Sequence, residues 1–139
     1  MNLLFFLKPK QEVCTLHKHY TMRQAVEKLR QGGHSAVPVI DEEGKYCGVV
    51  SEGDFLHKIL SHEDIKSWES IPLTDILRRD YKPVNVMTNL EGLLEYAASQ
   101  NFVPVVDDRG MFIGIVTRQD IIRYFAREYQ HVNIPARKG

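Results

Sequence analysis

Residues 36–51 read Ala36-Val37-Pro38-Val39-Ile40-Asp41-Glu42-Glu43-Gly44-Lys45-Tyr46-Cys47-Gly48-Val49-Val50-Ser51. The pattern returns without a gap as Phe102-Val103-Pro104-Val105-Val106-Asp107-Asp108-Arg109-Gly110-Met111-Phe112-Ile113-Gly114-Ile115-Val116-Thr117. Pro, Asp and both glycines keep their offsets, and the register runs on to place Asp54 over Asp120. Self-similarity of this kind marks a fold built from a repeated unit. In each copy a short apolar run (37–40, 103–106) meets an acidic turn closed by Gly44 or Gly110, and a second apolar run follows. That is a β-hairpin pattern, with glycine giving the turn its backbone freedom.

Working outward, Met22, Ala25, Val26 and Leu29 recur at helical spacing before the first hairpin and stop at Gly32-Gly33. Leu90, Leu93, Leu94 and Ala97 repeat the spacing before the second, with a slightly shorter link to the hairpin. A helix led by Phe55, Leu56, Ile59 and Leu60 follows the first hairpin; Ile121, Ile122, Tyr124 and Phe125 lead its counterpart. Runs at 13–16 and 83–86 read as opening strands. The unit is β-α-β-β-α, twice, an α+β fold whose two small sheets pack together with pseudo-two-fold symmetry because neither buries its apolar face well alone. The expected divisions are repeat one at 1–60, a polar connector at 61–70, repeat two at 71–130 and a frayed tail at 131–139. Short helices at 3–7 and 71–77 are expected to lead into repeats one and two.

Composition narrows the functional classes. The 139 residues are 43% hydrophobic and 26% charged, as in an ordinary globular protein. Lys+Arg and Asp+Glu both number 18, so the basic excess that tracks nucleic-acid phosphates is missing. Cys14 and Cys47 lack CxxC spacing and read as small buried hydrophobes in a reducing compartment. The apolar start at 3–7 is too short for a secretory core or a membrane span, so a cytoplasmic protein with no membrane contact is expected.

The order β-α-β-β-α around a Pro-Val-x-Asp-x-x-Gly-x-x-x-Gly-x-x-Ser/Thr-x-x-Asp core resembles the CBS domain, and the tandem resembles a CBS pair, or Bateman module, over nearly the whole chain. It is similar to the short stand-alone CBS-pair proteins of Gram-positive bacteria. The stretch Asn101-Phe102-Val103-Pro104 after a compact helix, and Thr117-Arg118 after Gly114-Ile115-Val116, are similar to the cyclic-di-AMP-binding members. The resemblance implies two symmetric clefts, a disc-like homodimer, and AMP, ADP, ATP, S-adenosylmethionine or cyclic di-AMP as ligand. A regulated protein partner would read ligand occupancy.

An adenosine ligand needs an apolar slot for its base, a carboxylate for the ribose diol and donors for phosphate. Asp54 and Asp120 suit the diol, and each stands at a helix start that favours anions. Ser51 and Thr117 precede them by three residues and offer hydroxyls. The same Ser/Thr-x-x-Asp spacing is a capping box, which would only tie off the helix. Copy two carries Arg118, a fork of donors suited to phosphate, where copy one carries the repelling Glu52, so the cleft of copy two is favoured. Ala36, Phe102, Val103 and Pro104 are expected along the base slots. By family position, Cys14 and the run Tyr81-Lys82-Pro83 should edge the clefts, with Lys82 offered to phosphate. A surface lysine or arginine and a core phenylalanine are the plain alternatives.

No catalytic motif occurs: neither GxSxG, HExxH, a Walker loop nor zinc spacing. His17-x-His19 reads as exposed polar residues, and His34, His57, His62 and His131 form no ligand spacing, so neither a metal nor a required cofactor is expected. The leading functional expectation is a non-enzymatic adenine-nucleotide sensor. The alternative is a dimeric scaffold with vestigial clefts.

Overall fold

The computed structural model describes residues 2–32, 35–61 and 65–133. The β-α-β-β-α order is present twice, as an α+β fold. In the first repeat β2 (Leu16–His17) runs parallel to β3 (Ala36–Ile40), which pairs antiparallel with β4 (Tyr46–Ser51). In the second, β5 (Val84–Asn85) runs parallel to β6 (Phe102–Val106), which pairs antiparallel with β7 (Phe112–Thr117). Helices α1 (Met22–Gly32) and α3 (Leu90–Ser99) cross between the parallel strands; α2 (Glu52–Ser61) and α4 (Arg118–Asn133) follow the hairpins.

Local chemistry sets the helix starts. Thr21 and Gln24 cap α1 reciprocally: Thr21 N donates to Gln24 Oε1 at 2.9 Å and Gln24 N to Thr21 Oγ1 at 3.4 Å. Asn89 caps α3 by accepting from Gly92 N at 2.8 Å. The apolar stripes then face inward, burying Met22, Ala25 and Leu29 on α1, and Leu93 and Ala97 on α3. Across the pseudo-symmetry axis the hairpin tips join: Tyr46 N donates to Gly110 O at 3.1 Å and Phe112 N to Gly44 O at 2.9 Å. The Tyr46 and Phe112 rings stack there with centroids 6.4 Å apart.

The leading segments do not pack where chain order places them. β1 (Lys8–Pro9) adds to the outer edge of β7, with Lys8 opposite Ile115 and Pro9 opposite Gly114. The 3-10 turn Leu3–Phe6 buries Leu3 and Phe6 in the core of the second repeat, beside Val84, Leu93 and Val116. Reciprocally, Arg78 exchanges backbone bonds with Val49 of β4 at 2.8 and 2.9 Å, and the turn Leu73–Ile76 sits in the first core beside Leu16, Met22 and Val50. The expectation that 3–7 leads into repeat one and 71–77 into repeat two therefore holds for chain order and fails for packing. The outer edges of β4 and β7 need a hydrogen-bonding cover, and each receives it from the segment preceding the other repeat. Gly48 and Gly114 allow the approach, because a Cβ at either position would run into the carbonyl oxygen of Arg78 or Lys8.

The expected connector is more than a link. Residues 62–64 lie outside the described residues, but Ile65–Ser70 forms a 3-10 turn from which Trp68 packs on the first core. Of the expected tail, 131–133 continue α4 and 134–139 lie outside the described residues. No helix among the described residues is long and apolar enough to cross a membrane.

Gly114→Ala tests the crossover. Forcing a methyl against the Lys8 carbonyl should cost about 1–3 kcal/mol, as overpacking does, and lower the thermal midpoint by roughly 5 °C or more. An unchanged midpoint in thermal and urea denaturation would show that the edge contact is dispensable.

Candidate functional site

A hollow of about 220 Å³ opens between the repeats. Val13 and Cys14 ahead of β2, with Ala36, Val37 and Pro38 at the start of β3, form one wall; Phe102, Ile115 and Thr117 of the second repeat form the other. Lys8 and Glu12 stand on its rim and also border a hollow of about 540 Å³ that follows α4 past Asp120, Arg123 and Arg127 to Phe5 and Tyr124. The two form a trough with a small-residue, mostly apolar end and a charged end carrying Lys8, Arg123 and Arg127. The crossover of the leading segments is what puts Lys8 and Glu12 there.

The two Ser/Thr-x-x-Asp motifs have different geometries. In copy one the capping box is closed: Ser51 Oγ and Ser51 N donate to Asp54 Oδ2 at 2.7 and 2.9 Å, and Asp54 N donates back to Ser51 Oγ at 3.2 Å. In copy two only the hydroxyl half forms, with Asp120 N donating to Thr117 Oγ1 at 3.1 Å. The Asp120 carboxylate instead borders the trough, loosely paired with Arg123 at 3.9 Å. Such an exposed pair is worth little and leaves the oxygens open to hydroxyl donors.

The remaining predicted residues divide between two regions. Cys14 and Ala36 of the first repeat join Thr117 of the second, so this cleft is made across the repeats, and Tyr81 is not among the residues that line it. The Tyr81 ring lies 5.2 Å from Phe102 and under the Arg78 guanidinium at 5.7 Å, while Tyr46 Oη donates to the Tyr81 carbonyl at 2.6 Å. That region faces Ser51 and Asp54: Arg78 is bridged to Val49, and its pKa is raised first by the hydrogen bond to Asp80 and to a lesser degree by the Asp54 charge. Each cleft takes its first-strand edge from one repeat and its Ser/Thr-x-x-Asp turn from the other, which puts the Tyr81-Lys82-Pro83 run on the side of Ser51 and Asp54.

Arg118 has partners on the preceding helix. Its Nε donates to Ala97 O at 2.8 Å and its Nη2 to Ala98 O at 3.3 Å, so the fork ties off the C-terminal end of α3. Lys82 has an exposed side chain and a backbone held by the buried Gln100 amide, which accepts from Lys82 N at 2.9 Å and donates to Lys82 O at 3.2 Å and Phe102 O at 3.3 Å. The backbones of 35 and 101 also have partners, since Ser35 O accepts from Glu52 N and Asn101 O from Arg118 N, both at 2.9 Å. Val103 and Pro104 are buried in β6.

Cys14 and Cys47 are half-buried free thiols rather than fully buried ones, and burial pushes the Cys47 thiol up. The His17 and His19 rings lie 5.4 Å apart and pack on Tyr20. Among the described residues no three potential ligands gather for a metal; His34 and His62 lie outside them. Sequence reasoning missed Lys8, Gln100, Arg123 and Arg127. The two arginines had a readable signal, one helical turn apart and just after Asp120.

The model of the CBS domain matches residues 8–61 and 73–127. Among solved structures, Listeria monocytogenes CbpB in complex with c-di-AMP is 26% identical, with TM-score 0.85, over 94% of this chain and 98% of that one. A hypothetical conserved protein from Geobacillus kaustophilus is 25% identical, with TM-score 0.84, over 92% of this chain and 98% of that one. An uncharacterised protein of Methanocaldococcus jannaschii is 28% identical over 115 residues, covering 81% of this chain and 40% of that protein. The chain spans between about one eighth and three fifths of the first curated relatives it matches.

The two aspartates should separate in stability. Asp54→Ala opens a closed capping box and should cost about 1 kcal/mol, whereas Asp120→Ala should stay within about 0.5 kcal/mol. Urea denaturation of both variants reads the difference, and equal losses would mean that both motifs serve as caps alike.

Proposed function

The chain belongs to the CBS domain family, and on that premise we propose that it is a non-enzymatic regulatory module that binds an adenine nucleotide, with cyclic di-AMP as the favoured ligand. The observation that carries this reading is the trough in which an open Asp120 carboxylate lies between a small-residue slot and three cations. The slot between Ala36, Pro38 and Phe102 takes a base, and Asp120 accepts from a ribose hydroxyl. Lys8, Arg123 and Arg127 offer the charge-assisted donors that phosphates require. Two adjoining hollows of about 220 and 540 Å³ that share Lys8 and Glu12 favour a dinucleotide over AMP, ADP or ATP. The likeness to a CbpB structure with c-di-AMP bound supports the same choice.

The module works by population shift: the ligand stabilises the arrangement it binds best, and a regulated protein partner reads the result. The setting is cytoplasmic, where the nucleotide pool lies. The chain acts as a homodimer, using the exposed apolar residues Leu56 and Leu60 of α2 and Ile122, Phe125 and Tyr129 of α4. Phe125→Glu should then yield a monomer in light scattering with an unchanged far-UV spectrum; a persistent dimer would place the interface elsewhere. A second reading, a scaffold with vestigial clefts, draws on the closed Ser51–Asp54 box.

Thermal shift with AMP, ADP, ATP, cyclic di-AMP, cyclic di-GMP and S-adenosylmethionine tests the proposal. At about 100 times its dissociation constant a ligand adds roughly 2.7 kcal/mol, a rise of several degrees for a chain of this size. Asp120→Ala and the pair Arg123→Ala/Arg127→Ala should each weaken binding by about tenfold or more, as expected on losing charged hydrogen bonds. No shift with any adenine ligand would overturn the sensor and leave the scaffold.

A further inference from the structure

We infer that the second cleft, the one facing Asp54, is closed by the chain's own side chains, so that each chain offers a single nucleotide site. The inference rests on the nucleotide reading for what the open cleft holds; the closure itself stands on geometry. Strand register fixes which positions are equivalent. Leu16 pairs with Val39 as Val84 pairs with Val105. Three residues earlier on each strand, Val13 corresponds to Tyr81 and Ala36 to Phe102. Likewise Lys8 opposite Ile115 corresponds to Arg78 opposite Val49.

At the positions of Val13, Lys8 and Asp120 the two clefts differ in one direction. Val13 leaves room for the hollow between the repeats, which Ala36 and Phe102 both line. Tyr81, in the place corresponding to Val13, sets its ring against that of Phe102, 5.2 Å away. The cation at the rim differs too. Arg78 grips Asp80 with two bonds, Nε to Oδ1 at 3.2 Å and Nη2 to Oδ2 at 2.8 Å, while its guanidinium lies over the Tyr81 ring. Finally Asp54, the counterpart of Asp120, has its carboxylate held by Ser51 N and Oγ. A base slot filled by a ring, a cation held by an acid and a carboxylate closed into a cap leave a nucleotide none of its three contacts. Tyr81 is thus the residue that decides which cleft is used.

Two measurements test this. Calorimetric titration with cyclic di-AMP should give one ligand per chain, unchanged in Asp54→Ala and weakened by about tenfold or more in Asp120→Ala. A stoichiometry of two, reduced to one by Asp54→Ala, would overturn the inference. The second measurement does not depend on nucleotide binding: Tyr81→Val, with Tyr81→Ala as a second variant, should empty a slot that takes up indole in addition to the open one. The thermal midpoint of either variant should rise further with millimolar indole than that of the unsubstituted protein. Variants that fold and respond to indole no more than the unsubstituted protein would show that the Tyr81 ring filled no slot. If the unsubstituted protein binds no nucleotide at all, the sensor fails, and the indole measurement still decides the closure.

Discussion

The crossover at the sheet edges is the constraint on which the rest of this structure depends. Each repeat is a hairpin, one short parallel strand and two helices, and its outer strand has a free row of backbone donors and acceptors. That row is covered by the segment preceding the other repeat, at Lys8–Pro9 on β7 and at Arg78 on β4. The same segments deliver Leu3 and Phe6, or Leu73 and Ile76, to the core they cover. Neither repeat is then complete without chain that belongs, in sequence, to its twin. The contact requires glycine at Gly48 and Gly114, which gives the second glycine of the repeated pattern a packing reason independent of any ligand.

That constraint also builds the cleft. Because β1 is fixed on β7, Lys8 and Glu12 fall beside Thr117 and Asp120 instead of beside Ser51 and Asp54. Duplication supplied two such places, and side-chain size separates them. Val13 leaves one hollow; Tyr81 fills the equivalent place and sets its ring against Phe102. A fully buried aromatic ring contributes on the order of 2 kcal/mol relative to exposure, and the half-buried Tyr81 gains part of that. Filling a cleft therefore stabilises the seam between repeats, while keeping one open forgoes that gain at the place where the carboxylate is also left uncapped.

Much of this was legible in the sequence, and the unread part has physical causes. Hairpins and helix faces follow from periodicity and turn residues, and they stand where residues 36–51 and 102–117 put them. Periodicity says that Leu3 and Phe6 must be buried but not against which repeat, so the crossover could not be read. Ser-x-x-Asp and Thr-x-x-Asp are the same motif as letters. Only the bond from Ser51 Oγ to Asp54, with no counterpart between Thr117 and Asp120 among the described residues, tells a closed cap from an open carboxylate. Arg118 carries a related ambiguity: at the first turn of α4 an arginine can reach forward to an anion or back to helix carbonyls, and its Nε bonds the C-terminal end of α3.

The placement of Arg123 and Arg127 bears on how occupancy would be communicated. They share α4 with Ile122, Phe125 and Tyr129, whose apolar surfaces are exposed in the single chain. A ligand bound as proposed would draw together β1, the start of β3 and α4, elements from both repeats. Its phosphates would act directly on the helix that carries the exposed apolar residues. Any change in the tilt or order of α4 alters the surface offered to a second chain or a partner. A second cleft closed as inferred would give the other half of the module no such handle, because Arg78 is held by Asp80 and lies over the Tyr81 ring. A module with one responsive half and one fixed half has a lever and a fulcrum, and a symmetric pair of open clefts would supply two levers and no fixed point.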